Sequence, residues 1–238
     1  MRLIHLSDIH LTANGHPIWG VEPLVQFNKA IEKISSINEI DAIVISGDLS
    51  DDGSLWTYEY IDKTFAKLGV PTYCCPGNHD NLNVFYQGFQ PSFYLRDEVF
   101  KLGEWTFIML NSVMPGMSRG HVDVKRLSDT IQSSDEPIAV VVHHPPIEQD
   151  GWLNRKLMEN RDEFNNIIIQ DHRVELVLYG HSHCYTNKSI NGIIYSSASS
   201  IGFAFHPNLS KFEIAHGNEG FSLVTLNGLD VEVENVLI

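Results

Sequence analysis

Two hydrophobic periods alternate along the chain, and their order predicts the fold. Apolar runs recur at residues 2–7, Ile40–Ile45, Thr72–Cys75, Ile138–Val142 and Val174–Tyr179. Near-continuous apolar runs of this length mark strands covered on both faces. Between the first three runs the spacing turns helical. Residues 22–39 repeat Leu24, Phe27, Ala30, Ile31, Ile34 and Ile37, and Ser54 caps a second predicted helix that runs to Leu68, before Gly69 and Pro71. This first third reads β-α-β-α-β, which calls for a parallel sheet. The middle changes character. Ser92–Leu95, Glu98–Leu102 and Trp105–Leu110 are strand-like runs joined by short turns, expected to be antiparallel, and helices are expected at Val122–Ser133 and Leu153–Ile169. The tail is predicted to be β throughout, with strands at Asn187–Ile190, Gly192–Ser196, Lys211–His216, Phe221–Leu226 and Val231–Leu237. Asn191-Gly192 and Asn227-Gly228 are its hairpin signals. No repeat, low-complexity tract or linker interrupts the pattern. The expectation is one domain over residues 1–238, of α/β class: a layered sandwich of two mixed β-sheets flanked by helices.

Composition narrows the partners. A chain of 238 residues with 43% hydrophobic residues can bury one sizeable core. The net charge of −14, from 30 acidic and 16 basic residues, repels duplex nucleic acid and anionic membrane. A small phosphorylated ligand held by a local cationic site remains compatible with it. The three cysteines, Cys74, Cys75 and Cys184, give no disulfide framework, so a reducing cytoplasm is the expected compartment. The chain enters a strand at once and reaches Asp8, so no secretory leader is read, and no stretch approaches the roughly 18 apolar residues of a membrane helix.

Candidate chemistry gathers where the apolar runs end. In order, they deliver Asp8 and His10; Asp48; Asn78 and His79; His143 and His144, followed by Pro145-Pro146; and His181 and His183. Sites in open α/β sheets form at the carboxyl ends of strands. Asp8-x-His10 and His181-x-His183 are expected to place alternate residues on one side of an extended backbone, so that each pair grips one ion. Carboxylates with imidazoles suit divalent Mn, Fe, Co, Ni or Zn. Gly47, Gly77 and Gly180 would let the backbone turn beside these residues. Taken singly, each has an ordinary reading: an aspartate caps a turn, and paired histidines pack under prolines. Ligand-type side chains at all five strand ends argue for a metal site instead. Spacing alone does not choose between His143 and His144. His5 reads as a packed core histidine, Cys74 and Cys75 as small buried residues, and Asp51 and Asp52 as a solvated turn. His16, Trp19, Trp152 and His206 are weaker pocket candidates, and Cys184 adjoins a candidate ligand without being required as one.

Taken in order, Asp8-x-His10, Gly47-Asp48, Gly77-Asn78-His79-Asp80, His143-His144-Pro145-Pro146 and Gly180-His181-x-His183 resemble the calcineurin-like metallophosphoesterases. The likeness spans residues 8 to 183. Within that superfamily the chain looks most like the class III cyclic-nucleotide phosphodiesterases, on Gly151-Trp152-Leu153 after the histidine pair and Leu110-Asn111-Ser112 before Gly120. The resemblance implies that Asp8, His10 and His183 hold a first metal, that Asp48 bridges, and that Asn78, His143 and His181 hold a second. It selects His143 over His144 as ligand. It makes Asp48 and His79 the catalytic residues, with Asn78 and His79 facing substrate, and leaves Asp80 either to orient His79 or to cap the next helix. The activity implied is that of a dinuclear metal-dependent phosphodiesterase. A hydroxide bridging two divalent ions roughly 3.5–4 Å apart would attack a small phosphodiester in line, a 3′,5′-cyclic nucleotide being one such substrate. The alternative on the same site is a phosphomonoesterase or protein phosphatase, for which Arg96, Arg119 and Arg155 are the candidate cations. A non-catalytic scaffold would be expected to have lost ligands, and all seven are present. The expected partner is a small phosphoester, with no duplex nucleic acid and no membrane. The sequence leaves the oligomeric state open.

Overall fold

A computed structural model describes residues 1–88 and 99–238. Strands β1 (Arg2–Leu6), β2 (Ala42–Ser46) and β3 (Thr72–Cys75) pair in parallel, and β10 (Gly220–Asn227) and β11 (Asp230–Leu237) add antiparallel to β1, giving the order β11-β10-β1-β2-β3. The second sheet contains β4 (Val99–Leu102), β5 (Trp105–Leu110), β6 (Ile138–Val142), β7 (Val174–Tyr179), β8 (Thr186–Ile190) and β9 (Ile193–Ser197), in the order β4-β5-β6-β7-β9-β8. Its centre is parallel and its two outer pairs are antiparallel. Both sheets are mixed, as the sequence pattern implies.

The strand pleat explains why the apolar runs are continuous. In β1, Leu3 faces the core between the sheets, beside Val44, Phe107, Val141 and Leu178, whereas Ile4 faces outward with Ile43 and Ile45. That outward face is covered by α1 (Pro23–Ser35) and α2 (Leu55–Leu68). On the second sheet Val140, Val142 and Val177 point away from the inter-sheet core and take α4 (Val124–Gln132) and α5 (Arg161–Ile169). Every central strand therefore buries both faces, and each fully buried aliphatic side chain contributes roughly 1.5–3 kcal/mol. Ser54 accepts the Thr57 N–H at the start of α2, and Gly69 ends the helix in the left-handed region at φ 67°. His5 is buried between the sheets, 2.8 Å from Ser46 Oγ at its Nε2, and burial pushes its imidazole down to about 3.

Two expectations need correction. Leu153–Ile169 is not one helix: a 3-10 turn at Gly151–Arg155 is followed, after a break, by α5. The break is stabilised from outside, because Met158 N–H donates to Pro145 O, Glu159 N–H to Gly120 O, and Asn160 bonds both polar groups of Val122. Lys211–His216 is not a strand; Ile214 makes a single bridge to Phe205. A short helix, α3 (Leu82–Gly88), follows Asp80; the hydrophobic spacing assigns it no bounds. The run at Ser92–Leu95 lies outside the described residues, while β4 and β5 pair antiparallel as anticipated. Asn191 and Gly192 both take positive φ between β8 and β9, as the hairpin signal requires, and Gly228 does so between β10 and β11. Among the described residues, no helix is long and apolar enough to cross a membrane.

Candidate metal centre

The candidate ligands do not meet by strand alternation. Asp8 (φ 54°), His10 (φ 49°), Asp48 (φ 52°), His181 (φ 67°) and His183 (φ 49°) all lie in the left-handed region. The extended Asp-x-His and His-x-His pairs expected from spacing are instead sharp kinks. Each such residue costs roughly 1–2 kcal/mol and persists only where its surroundings fix it. Here they do: Asp8 N–H donates to Gly47 O at 3.0 Å, His10 N–H to Asp48 O at 3.0 Å, and Ser200 Oγ to Asp8 O at 2.7 Å. The His181 N–H points into the Asp8 carboxylate, 3.2 and 3.0 Å from its two oxygens. Two glycines allow this crowding by lacking a side chain rather than by turning. A Cβ on Gly77 would overlap Asp48, and one on Gly180 would overlap Ser7 Oγ and stand 2.8 Å from Ser46 O.

The kinks bring two groups of ligand atoms together. In the first, His183 Nε2 lies 3.3 Å from both Asp8 Oδ1 and His10 Nε2, and His10 Nε2 lies 3.6 Å from Asp48 Oδ2. In the second, His143 Nε2 lies 3.2 Å from each of Asp48 Oδ2, Asn78 Oδ1 and His181 Nδ1. Asp48 Oδ2 thus stands between the groups. The imidazoles are oriented from behind. His143 Nδ1 donates to Ser46 O at 2.8 Å, His183 Nδ1 to Phe203 O at 2.8 Å, and His10 Nδ1 to Asp51 Oδ1 at 3.0 Å. A carbonyl oxygen accepts only, so those ring nitrogens carry the proton.

This arrangement fits cations. With both Nδ1 atoms donating, His10 and His183 turn lone pairs toward each other across 3.3 Å, a contact that is repulsive without a positive charge between them. Carboxylate, imidazole and amide oxygen together form a donor set for first-row divalent ions.

The electrostatics agree. Burial opposes a charge on Asp48, yet the His143 imidazole holds its carboxyl well below the ordinary range. Burial likewise disfavours a charged His143, but the Asp48 carboxylate outweighs it and lifts the group to about 9. Burial and the neighbouring imidazoles of His144 and His143 keep His181 well below its usual value, and burial lowers His183 to about 4. His181 and His183 are therefore neutral beside an ionised Asp48, as metal binding requires, whereas His143 carries a proton that an incoming ion would displace.

Residues 1–185 match the family of calcineurin-like phosphoesterases. The chain belongs to that family. It is a phosphoric ester hydrolase by that membership. It is 28% identical over 231 residues to a 3′,5′-cyclic-nucleotide phosphodiesterase of a Nostoc species, covering 94% of this chain and 87% of that one. It is 27% identical over 233 residues to the 3′,5′-cyclic adenosine monophosphate phosphodiesterase CpdA of Pseudomonas aeruginosa, covering 94% and 85%. The fold also matches a dimetal phosphatase from Danio rerio with a TM-score of 0.72 at 12% identity, covering 98% of this chain and 95% of that one.

Beside the candidate ligands, His144 offers a ligand atom within 4.8 Å of those of His143 and His181. Its Nδ1 lies 2.8 Å from Ser112 Oγ, its ring centroid is 4.9 Å from that of His143, and burial lowers the imidazole to about 3. His79 donates its backbone N–H to Asp48 Oδ1 at 2.8 Å, and its Nδ1 lies 3.1 Å from Asp51 Oδ1. Burial disfavours the charged ring, but the Asp51 and Asp48 carboxylates raise its pKa. Asp51 is therefore no mere solvated turn: one of its oxygens orients both His10 and His79. Asp80 does something else. It accepts the N–H groups of Leu49, Ser50 and Gly77 and the Tyr58 hydroxyl, bracing the two ligand loops, and burial with the nearby Asp48 charge pushes it up to about 6.

A cavity of about 80 Å³ opens over the cluster, lined by candidate ligands together with Trp19, Trp152, Lys156, Phe203 and Phe205. Lys156 and the two phenylalanines were not singled out from sequence, because neither residue type is a metal ligand and Lys156 lay inside a predicted helix. His16 and His206 do not line this cavity. Cys184 is buried, its thiol raised to about 11, and it lines a neighbouring cavity, while Cys74 and Cys75 are buried as expected. Arg119 and Arg155 line a separate cavity of about 290 Å³ with Arg161, and Arg96 lies outside the described residues.

Proposed function

We propose that this phosphoesterase is a dinuclear metal-dependent phosphodiesterase acting on a small phosphodiester, with 3′,5′-cyclic nucleotides the favoured class. The observation that carries the reading is Asp48 Oδ2, within 3.2 Å of His143 Nε2 and 3.6 Å of His10 Nε2, at the junction of two ligand groups. Asp8, His10 and His183 would hold one ion and Asn78, His143 and His181 the other, with Asp48 shared. Bound there, a pair of divalent ions supplies Lewis-acid stabilisation of phosphoryl charge and an acidified water as nucleophile. The protein's own part is to place the ligands, exclude bulk water and move a proton. His79, whose Nδ1 lies 3.1 Å from Asp51 Oδ1, would protonate the leaving alkoxide. Lys156, 5.5 Å above the Trp152 ring, is the one cation among the described residues lining the cavity, which suits the single negative charge of a diester. The arginines that would favour a dianionic monoester line a different cavity. The relatives named as cyclic-nucleotide phosphodiesterases support the diester reading. The unpaired, buried cysteines accord with a cytoplasmic setting.

The test is a substrate panel on Mn²⁺-loaded protein. Cyclic AMP and bis(p-nitrophenyl) phosphate should turn over faster than p-nitrophenyl phosphate. Asp48→Ala should lower the rate by at least about 100-fold, beyond the loss usual for groups behind the ligands. A faster monoester rate would replace the diester reading with the phosphatase one.

A further inference from the structure

The cavity over the metal cluster is about 80 Å³, far below the roughly 300 Å³ at which small-molecule pockets begin. It admits a phosphoryl group, so the rest of any substrate must lie on the rim. One rim residue is unusual on two independent counts. Trp19 is 56% exposed, and it occupies the left-handed region at φ 47°. It sits with Gly20 (φ 82°) at the tip of a two-residue turn closed by backbone hydrogen bonds of 2.8 and 3.0 Å between Ile18 and Val21. Asparagine or glycine normally occupies such a position, and a bulky aromatic there is strained. Strain of this kind gathers at ligand clamps.

The indole is also held in place. Its ring centroid lies 4.9 Å from that of Phe203, edge to face, and 4.6 Å from that of Phe212. Phe203 in turn lies 4.7 Å from the rings of both His10 and His183. A chain of aromatic contacts thus runs from the candidate ligands to the exposed Trp19. Trp152, the other indole at the rim, is half-buried and already carries Lys156 over its ring. A flat, exposed, preoriented ring two ring-spacings from a phosphate site is what stacking of a nucleobase requires.

We infer that Trp19 is a specificity-determining platform on which the base of a nucleotide substrate or product stacks while its phosphate lies over the metal centre. The inference rests on the phosphate position given under the proposed function. It predicts that the site prefers nucleoside cyclic phosphates and monophosphates to phosphoesters without an aromatic group.

The experiment compares wild type, Trp19→Ala and Trp19→Phe, each loaded with Mn²⁺, by calorimetric titration with 5′-AMP and with ribose 5-phosphate. Binding is read without turnover, so absence of hydrolysis would sink the proposed function and leave this measurement standing. Trp19→Ala should weaken 5′-AMP by roughly 5- to 150-fold, the effect of one stacked base, and shift ribose 5-phosphate by no more than about twofold. Trp19→Phe should recover most of the 5′-AMP affinity, which a merely structural role for the indole would not produce. Equal weakening of both ligands, unchanged 5′-AMP binding in Trp19→Ala, or wild-type affinity no greater for 5′-AMP than for ribose 5-phosphate would each overturn the inference.

Discussion

Asp51 shows how much one carboxylate oxygen can organise. Its Oδ1 accepts from His10 Nδ1 at 3.0 Å and from His79 Nδ1 at 3.1 Å, so it fixes the tautomer of a candidate ligand and of the candidate proton donor together. Burial disfavours its charge, but the two imidazole donors more than offset that and hold it below the usual carboxylate range. Asp51→Ala should therefore weaken Mn²⁺ retention and lower kcat together, each by roughly 10- to 100-fold. Metal titration with steady-state kinetics checks this, and values within about twofold of wild type would remove Asp51 from the site. Nothing in the sequence distinguished it from Asp52, because both stand in a polar turn where carboxylates are ordinarily solvated. The seven candidate ligands stood out for the opposite reason: carboxylate, imidazole and amide side chains directly after buried apolar strands need a purpose. His5 was legible too, as a core histidine, and it carries its own prediction. Its folded pKa is depressed to about 3 from an ordinary 6.5. Between those values the unfolded chain binds a proton that the folded chain refuses, so stability falls as pH drops through that window. His5→Gln removes the titration. Well below pH 6.5, the variant should gain on wild type by about 1.4 kcal/mol per pH unit of acidification, read by urea unfolding of the metal-free proteins. A gap that does not change with pH would show that His5 is charged in the folded state.

At the scale of elements, strands and helices followed from their periodicity, while the joints between them did not. β1, β2, β3, β6 and β7 all ended where the apolar runs ended, within a residue or two, and Ser54 and Gly69 bounded α2 as capping chemistry predicts. The failures share one cause. The region after Arg155 has helical spacing, yet its backbone bonds to Pro145 and Gly120 instead of to itself. The segment around Phe212 has strand-like spacing, yet Phe212 packs on Trp19 and Phe205. In both, contacts from distant sequence outweigh local preference, and no local pattern records them. The left-handed kinks after β1, β2 and β7 escaped for the same reason, since hydrogen bonds such as His181 N–H to Asp8 stabilise them from across the fold. Gly180 tests how tightly such a joint is built. Gly180→Ala sets a methyl against Ser7 Oγ and 2.8 Å from Ser46 O. It should destabilise the protein by roughly 1–3 kcal/mol in denaturant unfolding, the usual range for overpacking. Adding Ser7→Ala removes one of the two obstructing atoms and should restore part of that loss, a coupling expected only for residues in contact. Strict additivity of the two substitutions would mean that the joint relaxes elsewhere.

For the whole molecule, the two sheets meet at the candidate metal centre. Asp8, His10, Asp48 and Asn78 follow strands of the first sheet, and His143, His181 and His183 follow strands of the second. Between the sheets lies an apolar core that includes Leu3, Val44, Val141 and Leu178, but at this end the contact is polar, with buried carboxylates facing buried imidazoles. Removing cations there leaves Asp48 to share a proton with His143, and leaves the His10 and His183 lone pairs opposed across 3.3 Å. Bound ions would replace those strained contacts with bonds reaching both sheets, so metal binding should stabilise the entire sandwich rather than one loop. A ligand present at about 100 times its Kd adds roughly 2.7 kcal/mol to folding. For a chain of this length that corresponds to a rise in Tm of roughly 5–10 °C. Chelation should therefore lower Tm by that amount in a single cooperative transition, with both sheets losing hydrogen-exchange protection together. Asp48→Asn, which weakens the group shared by both clusters, should abolish most of the Mn²⁺-dependent shift while lowering the metal-free Tm far less. Should chelation instead leave Tm unchanged and loosen only the loops around His79, the metal centre would be a decoration on an already complete fold rather than a tie between its halves.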